Sequence, residues 1–398
     1  MYKKFAVLLI FLSLLFPPSS FASSRKRNQK DFSRVLSPHS APRQSFARFA
    51  YFIDKFQLPM HIKGQIWADP DSVYQGPFFI DSQLKIYLPP HYFSYYPQPF
   101  FRGPVMSADS TVLYYKGYGP FNKLGVVSRK KFKMIFQSSL KLGVKPISYP
   151  SHPEREIRKA AFGTFTRSAH KSLVLLPHSK TGKLSGGIVI TKSLKSLTLK
   201  APSSHTFRLF LSSKNGQKAM VQISFKKKET FLKYPSKKIK IYHGIPNGII
   251  YIEGGIGSKN HGGLSGKTRG RWTIATEKNI YLSGNLKYWD TPSGSQPQGN
   301  DTLALISPRV FITYKAPSLL FLYATIMSKM LFVLPSKSRD LPRQGELIWW
   351  GNYIGEYPAI MGTFSEKSGI SKDGYDLLKY YDARLAKNPP PDFPTYQE

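Results

Sequence analysis

The run GIIYIEGGIGSKNHGGLSGKTRGRWTIATEKNIYLSGNLKYWD, residues 248–290, contains the clearest pattern in the chain. Ile250–Ile252 is echoed by Ile280–Leu282, and Trp272–Ala275 lies between them. Each run is short, apolar and bounded by Gly, Asn or Asp, which is typical of strands separated by turns. Such imperfect repetition predicts a β-solenoid, in which stacked rungs cover one another's apolar faces. An antiparallel β-sandwich would leave the same local pattern and is the alternative.

Short strand-like runs also flank this region on both sides. They include GPFFIDSQLKIYLPP and FFRGPVMSADSTVLYY upstream, and SLVLLP, GGIVIT, SLTLKA, TFRLFLS and MVQISF nearer the centre. The fold class is therefore predicted to be mainly β with a few short helices. Helices are expected in KKFKMIFQSSLKL and PEREIRKAAF, and residues 46–56 carry apolar residues at helical spacing. A last helical pattern places Tyr375, Leu378, Tyr381 and Leu385 on one face.

Composition limits the classes of protein to which the chain can belong. Its 398 residues contain 58 Lys plus Arg against 22 Asp plus Glu, so the net charge is +36, and there is no Cys. The absence of Cys excludes disulfides, cysteine-ligated zinc, iron–sulfur clusters and thiol catalysis. The charge favours binding of polyanions through counterion release and long-range attraction. A basic, soluble surface without a ligand is the alternative.

The first residues predict an export signal. Lys3 and Lys4 precede the apolar run Phe5–Phe16, and small residues stand three and one before a cleavage site between Ala22 and Ser23. The apolar run is shorter than the roughly 20 residues that span a bilayer, so cleavage is favoured over a retained anchor. We expect the protein in the periplasm, outer envelope or cell surface of a bacterium.

A second apolar stretch, residues 319–334, is interrupted by Ser328 and Lys329. It predicts a buried helix or a pair of strands, and no integral membrane span is expected after signal cleavage. The predicted organisation is a signal peptide (1–22), a flexible basic tether (23–45), a helix with a β-rich region (46–125), a basic β-rich middle that is a candidate insertion (126–235), a β-rung core (236–340), and an aromatic, loop-rich cap with an extended tail (341–398).

Residues 248–290 and the following NDTLALISPRVFI (300–312) resemble the core of an uncharacterised bacterial envelope family. The ending is also similar to that family, with Tyr381-Asp382-Ala383-Arg384 and the proline-rich run 389–394. The resemblance implies an exported β-rich module from a family often found with type IV pilin-like N-termini, and hence a link to pilus or envelope assemblies. Here an ordinary export signal stands where a pilin-like leader would be, which argues against incorporation into a pilus through an N-terminal helix.

Several clusters of cationic residues are candidates for binding a polyanion such as lipopolysaccharide, an acidic glycan or DNA. Nearby aromatic residues could stack on sugars or bases. The candidate residues are Lys130, Lys131, Lys226, Lys227, Lys228, Lys237, Lys238, Arg269 and Arg271. Trp349 and Trp350 are candidates for an aromatic platform, although adjacent strand residues face opposite sides, and a capping role at the end of the core is favoured.

Catalytic residues are not identified by any motif. Glu253, Asp290 and Asp301 lie in the best-patterned region and could supply the paired carboxylates of a glycosidase, but a loop-stabilising role is favoured for the two aspartates. His243 and His261 lack metal-binding spacing, and neither a metal nor a cofactor is expected. The sequence therefore favours a non-enzymatic structural or adhesive protein that binds envelope polyanions or other envelope proteins. A β-helix carbohydrate-active enzyme and a pilus- or secretion-associated subunit are the alternatives.

Overall fold

The computed structural model describes residues 43–57, 68, 73–86, 100–114, 129–163, 172–334, 345–362 and 374–397. Pro42–Glu398 forms one compact unit. The signal peptide with Ala22 and Ser23, and nearly all of the tether, lie outside the described residues. No helix in the described ranges is long and apolar enough to cross a bilayer.

The chain is mainly β, as predicted. Its strands are β1 (Arg43–Ser45), β2 (Tyr51–Ile53), β3 (Val73–Tyr74), β4 (Phe78–Ile80), β5 (Leu84–Ile86), β6 (Phe100–Phe101), β7 (Val105–Ser107), β8 (Val112–Tyr114), β9 (Leu140–Leu142), β10 (Val174–Leu175), β11 (Ile188–Ile190), β12 (Leu194–Ser203), β13 (Thr206–Ser213), β14 (Lys218–Ser224), β15 (Glu229–Lys233), β16 (Lys240–His243), β17 (Ile249–Ile252), β18 (Gly263–Thr268), β19 (Arg271–Thr276), β20 (Ile280–Tyr288), β21 (Thr302–Ile312), β22 (Leu319–Tyr323), β23 (Thr325–Val333), β24 (Gly345–Trp350), β25 (Tyr353–Gly355), β26 (Tyr375–Tyr380) and β27 (Thr395–Gln397). The helices are α1 (Arg129–Ile135), α2 (Pro153–Phe162) and α3 (Arg384–Lys387), and a 3-10 turn covers Phe46–Arg48.

Most strands belong to two long parallel ladders. Ladder A runs in the order β11, β17, β19, β21, β23, β25, β2, β4, β7, β9. Ladder B runs in the order β12, β18, β20, β22, β24, β26, β3, β6. A third set of parallel pairs comprises β5 with β8, the start of β20 with the end of β21, and the end of β21 with the end of β23. Along the chain, each of these segments follows a segment of ladder A. Each pass of the chain thus contributes one strand to each ladder.

The order of strands in the ladders differs from their order in the chain. The N-terminal strands β2 and β3 pair with the late strands β25 and β26, so the beginning of the folded chain continues the stack where its end stops. After β9, which is the last strand of ladder A, the chain crosses back through residues 143–163 to the other end of this ladder. There β11 is the first strand, and it pairs with β17.

Antiparallel pairing is confined, within the described residues, to β1 with β27, β10 with β11, the meander β12 to β16 and a single bridge between His178 and Leu184. We call this meander the hairpin sheet. The sandwich alternative requires antiparallel neighbours throughout, whereas the strands between 249 and 380 pair in parallel. Parallel neighbours require a crossover connection and do not arise from tight hairpins.

The two faces of ladder A are both buried. One face forms an in-register apolar column that includes Ile250, Ile274, Leu305, Ile326 and Tyr353, and it belongs to the main core. The opposite face is covered by α2, α3, the 3-10 turn and the last residues of the chain. Burial on both faces explains why these strands are continuously apolar instead of alternating.

Several local predictions can now be judged. The short helices in 129–135 and 153–162 are confirmed, and the stretch 319–334 is the predicted pair of strands, β22 and β23. The helix predicted over 46–56 is wrong, since only the 3-10 turn forms and β2 follows it. The helix expected over 375–385 is also wrong, because β26 pairs with β24 and only α3 is helical. Pairing with neighbouring strands outweighs the local periodicity in both places.

The internal echo has a different meaning from the one predicted. The ladder neighbour of Ile249–Ile252 is Thr273–Thr276 in β19, whereas Ile280–Leu282 pairs with Val310–Ile312 in the third set of parallel strands. The two similar runs therefore occupy different faces of the stack. The loop-rich cap predicted after residue 340 instead contains β24, β25 and β26.

Candidate anionic-ligand surface

The hairpin sheet has one buried and one accessible face. Its inward side chains, such as Leu209, Val221 and Leu232, belong to the main core. Strict alternation sends the intervening residues outward, as expected for a sheet with one solvated face. We call the outward side of β12 to β15 the basic face; it comprises Ser196, Thr198, Lys200, Arg208, Phe210, Ser212, Lys218, Met220, Gln222, Phe231 and Lys233.

Apolar and cationic side chains alternate across this basic face. Phe210 lies opposite Met220, and Met220 lies opposite Lys233, in three adjacent strands. Lys200 places its Nζ 5.2 Å from the centroid of the Phe210 ring. Phe210, Met220 and Lys233 border an open groove of about 390 Å³, which Lys218 also lines. The groove thus combines an aromatic surface with ammonium groups, a combination suited to anionic ligands that carry rings or chains.

The predicted lysine clusters border the same sheet. Lys226, Lys227 and Lys228 are exposed in the turn between β14 and β15, and Lys237 and Lys238 are exposed between β15 and β16. They therefore extend the positive charge of the basic face at both ends of β15. Glu229 is the one acidic residue between positions 226 and 243.

The two predicted arginines are positioned differently. Arg269 donates from Nη1 to Asp301 Oδ1 at 2.9 Å and lies 3.4 Å from Asp290 Oδ2, so its charge is matched by carboxylates. Arg271 is exposed, but its Nη2 donates to the Pro389 carbonyl oxygen at 2.5 Å. Arg269 therefore has a structural role, and its part in binding a polyanion stays a prediction. Lys130 and Lys131 lie in α1, and their side chains lie outside the described residues.

Asp290 and Asp301 form a structural cluster around Arg269. Asp301 is almost fully buried and also accepts the Gly270 N–H at 2.7 Å. Burial raises the pKa of the Asp301 carboxyl, and the Gly270 N–H and Arg269 oppose this rise. The backbone N–H groups of Asp290 and Asp301 each donate to the other's carboxylate at 3.3 Å. The saturated contacts agree with the loop-stabilising role expected for both aspartates.

The tryptophan pair does not form a joint platform. Trp349 is fully buried, and its Nε1 donates to the Ala324 carbonyl oxygen at 2.8 Å. Trp350 is partly exposed and stacks on Tyr380, with 4.5 Å between ring centroids. Since adjacent strand residues face opposite sides, only Trp350 can contribute to a surface.

A second group of carboxylates follows the strands of ladder A. Glu253, Glu277, Glu356, Asp54 and Asp81 each come directly after a ladder strand. The carboxyl ends of parallel strands meet at one edge, so these side chains follow that edge. Sequence analysis selected only Glu253, because the neighbours of the other four become apparent only once the ladder order is known.

The chain segment that crosses back along ladder A contacts this acidic edge. The Ile147 N–H donates to Asp81 Oδ1 at 3.1 Å, and Arg158 Nη2 lies 3.9 Å from Glu253 Oε1. The carboxyl groups of Asp54 and Asp81 lie close enough for each to affect the pKa of the other. Burial, together with the charge of Asp54, raises the pKa of Asp81 to about 6. The acidic edge therefore holds the crossing segment in place.

The described residues contain no group of three or more His, Cys, Asp or Glu side chains arranged to hold a metal ion. His261 instead closes a turn with Ser258, and His243 belongs to β16. Comparison of the chain with protein-family models, characterised proteins and solved structures finds no match.

Sequence analysis missed the residues between the lysine clusters. Phe210 and Met220 belong to runs predicted to be strands, but no face is assigned to them, and Lys218 lies outside those runs. The signal was present in the alternation of TFRLFLSS and KAMVQIS, whose odd and even positions differ in polarity.

Proposed function

We propose that this chain is an exported, non-enzymatic envelope protein with a structural or adhesive role, which binds anionic partners through its basic face. The observation that carries the proposal is the placement of Lys200, Lys218 and Lys233 around Phe210 on an open face whose bordering turns hold five more lysines. Export and an envelope location rest on the N-terminal signal and on the resemblance to an envelope family.

We also propose that the parallel ladders form a β-solenoid. Ladders A and B are in register over many strands, and the chain enters each in turn on every pass. Such stacks present long, regular surfaces and depend on contacts between neighbouring rungs. A rigid stack that carries a basic sheet at one end is suited to attachment and does not require an active site.

The test is binding of the mature chain to heparin and to double-stranded DNA over a range of salt concentrations. Counterion release predicts that the logarithm of affinity falls linearly with the logarithm of salt concentration, with a slope of about −0.9 per DNA phosphate neutralised. Affinity that does not change between low and moderate salt would refute the electrostatic proposal.

A charge variant locates the binding surface. Replacing Lys226, Lys227, Lys228, Lys237 and Lys238 with Gln should reduce the slope by several units, at about one per lost phosphate contact. The matched control replaces the exposed Lys259, Lys278 and Lys387, which lie away from the hairpin sheet, and should leave the slope nearly unchanged. An equal loss per lysine removed in the two variants would mean that net charge alone, and not this face, binds the polymer.

A carbohydrate-active enzyme is the second candidate, and one observation favours it. Asp54 and Asp81 are neighbouring carboxyls at the edge of ladder A, and the pKa of each is raised above its ordinary value, chiefly by burial. A carboxyl with such a pKa can act as a general acid. Release of reducing ends or unsaturated sugars from envelope glycans, lost in Asp81→Asn, would establish the enzyme. A broad panel without any activity would reject it.

A further inference from the structure

Exposed apolar side chains are concentrated at one edge of the hairpin sheet. Six large apolar residues are exposed in the described part of the chain, and three of them are Ile239, Ile241 and Ile245, with exposed fractions of 52%, 56% and 36%. Ile241 belongs to β16, and the other two lie just before and after that strand. Scattered exposed apolar residues are ordinary, but a group of three within seven positions marks an interaction surface.

β16, which contains Ile241 and lies between Ile239 and Ile245, is the outermost strand of the hairpin sheet. β16 pairs with β15 on one side. On the other side, a single bridge joins His243 to Lys183 among the described residues. Ile241 lies opposite Phe231, which places its side chain on the basic face. The segment from Ile239 to Ile245 can extend over about 20 Å.

Lysines flank the isoleucines at both ends. Glu229 lies opposite His243, so the turn that holds Lys226, Lys227 and Lys228 is at the Ile245 end of β16. Lys237 and Lys238 immediately precede Ile239 at the other end. Residues 226–243 contain seven lysines and one glutamate, a net charge of 7 − 1 = +6. The edge therefore presents an aliphatic centre between two clusters of positive charge.

We infer that this edge docks on the surface of an anionic phospholipid bilayer. Ile239, Ile241 and Ile245 enter the boundary between headgroups and acyl chains, and the flanking lysines contact lipid phosphates. The inference rests on the proposed function, since it names the anionic partner of the same face. A soluble polyanion would use the lysines and gain nothing from the aliphatic side chains. A lipid interface rewards both, through burial of apolar area and attraction to anionic headgroups.

The positive charge of this edge disfavours pairing of β16 with a strand from a second copy of the chain. An unpaired edge is a template for strand addition, and lysines on an edge are a common device against it. Lys237, Lys238 and Lys240 would approach their counterparts in another chain, so like charges disfavour that pairing. An anionic bilayer, in contrast, presents negatively charged headgroups to these lysines.

The test compares vesicles with soluble polymers, using the whole mature chain. Flotation with vesicles of phosphatidylcholine alone, or with one third phosphatidylglycerol, measures lipid binding, and heparin measures electrostatic binding. The variant Ile239→Ser/Ile241→Ser/Ile245→Ser should lose about tenfold or more of its affinity for anionic vesicles, since each exposed aliphatic side chain contributes to burial at the interface. Its heparin affinity should stay within about twofold, because no charge is removed.

Leu319→Ser is the matched control, because Leu319 is 44% exposed at the start of β22, away from β16. It should bind vesicles as the unaltered chain does. Equal thermal unfolding midpoints establish that the variants are folded. If the triple variant unfolds, the single variant Ile241→Ser takes its place.

Each result separates this inference from the proposed function. Binding to heparin without binding to anionic vesicles overturns the lipid inference and leaves the proposed function standing. Binding to neither overturns both. Unchanged vesicle binding by the isoleucine variant overturns the role of this edge. A dimer that the isoleucine variant converts to a monomer, with vesicle binding unaltered, assigns the edge to a second copy and also overturns it.

Discussion

Tyr51 lies opposite Tyr353 in adjacent parallel strands, and their ring centroids are 5.7 Å apart. This pair joins the beginning of the folded chain to a strand near its end. Asn352 strengthens the joint by donating from Nδ2 to the Ala47 carbonyl oxygen at 2.5 Å. The early and the late strands are therefore held together by noncovalent contacts. The buried polar groups at this joint need their hydrogen-bond partners, because an unpaired polar group in the core is costly.

Lys379 is the most unusual of these groups. It is 2% exposed, donates from Nζ to the Ala50 carbonyl oxygen at 2.6 Å, and lies 4.1 Å from the centroid of the Tyr51 ring. Burial holds the pKa of Lys379 well below its usual range. We expect Lys379→Met to cost less than about 1.5 kcal/mol of the free energy of unfolding, because it keeps the volume. Lys379→Ala should cost about 2–5 kcal/mol through the cavity that it leaves.

The pH dependence follows from the depressed pKa. The contribution of Lys379 is present in full above its unfolded pKa and is lost as the pH falls through the folded pKa. The stability of the unaltered chain should therefore rise relative to Lys379→Met as the pH is raised. Urea unfolding at several pH values measures this difference, with Lys387→Met as the exposed control. Equal destabilisation by Met and Ala would contradict the packing argument.

The strand content could be predicted from sequence because each strand is a short apolar run bounded by turn residues. The joint between Tyr51 and Tyr353 could not, since nothing local specifies which distant run becomes a ladder neighbour. The same limit explains the wrong helix at 375–385. Tyr375, Leu378 and Tyr381 do have helical spacing, but β24 and β3 offer strand partners on both sides of β26.

Asp301 should matter for stability and not for catalysis. Asp301→Ala removes the acceptor of both Arg269 and the Gly270 N–H, and breaking a buried pair in this way costs about 3–5 kcal/mol. Asp301→Asn keeps an oxygen for the Gly270 N–H and should cost less. Urea unfolding gives both values, and Asp290→Asn, whose contact with Arg269 is longer, is the comparison. A stable Asp301→Asn variant that loses a glycan-cleaving activity would assign Asp301 to catalysis instead.

Trp349 and Trp350 should respond in opposite ways to the same substitution. Trp349→Phe removes the hydrogen bond to the Ala324 carbonyl oxygen inside the core and should cost about 1–3 kcal/mol. The Nε1 of Trp350 is buried without a hydrogen-bond partner among the described residues, so Trp350→Phe should be neutral or stabilising while its stacking on Tyr380 is kept. Thermal unfolding of the two variants makes the comparison, and a larger loss in Trp350→Phe would contradict it.

The lysine turns of the candidate surface could be recognised in the sequence, because a run such as Lys226–Lys228 needs no fold to be noticed. The groove around Phe210 could not, since Thr198, Phe210, Met220 and Lys233 come from four strands and become neighbours only through the register. The ion pairs of Arg269 could not be predicted for the same reason. Its partners Asp290 and Asp301 lie 21 and 32 positions away in the chain.

The Asp54–Asp81 pair should make the stability of the chain depend on pH in a defined direction. Burial raises the pKa of Asp81 to about 6, above the ordinary value of 3.8 for an aspartate, so the folded chain binds a proton more tightly than the unfolded chain does. The stabilising contribution is then complete below the unfolded pKa and is lost as the pH rises through about 6. Asp81→Asn removes this titration and keeps an oxygen for the Ile147 N–H.

We therefore expect the stability of Asp81→Asn, relative to that of the unaltered chain, to rise between about pH 4 and pH 6, the window between the unfolded and the folded pKa of Asp81, and to level off above it. Thermal unfolding midpoints across this range provide the measurement, and Asp109→Asn, at a carboxylate for which a backbone N–H and a hydroxyl are the donors, is the control. A constant difference across the range would mean that the pKa of Asp81 does not rise on folding, and the interaction with Asp54 would then have to be abandoned. A rising difference would support the view that Asp81 secures the crossing segment through the Ile147 N–H, because a proton on Asp81 removes its repulsion with Asp54.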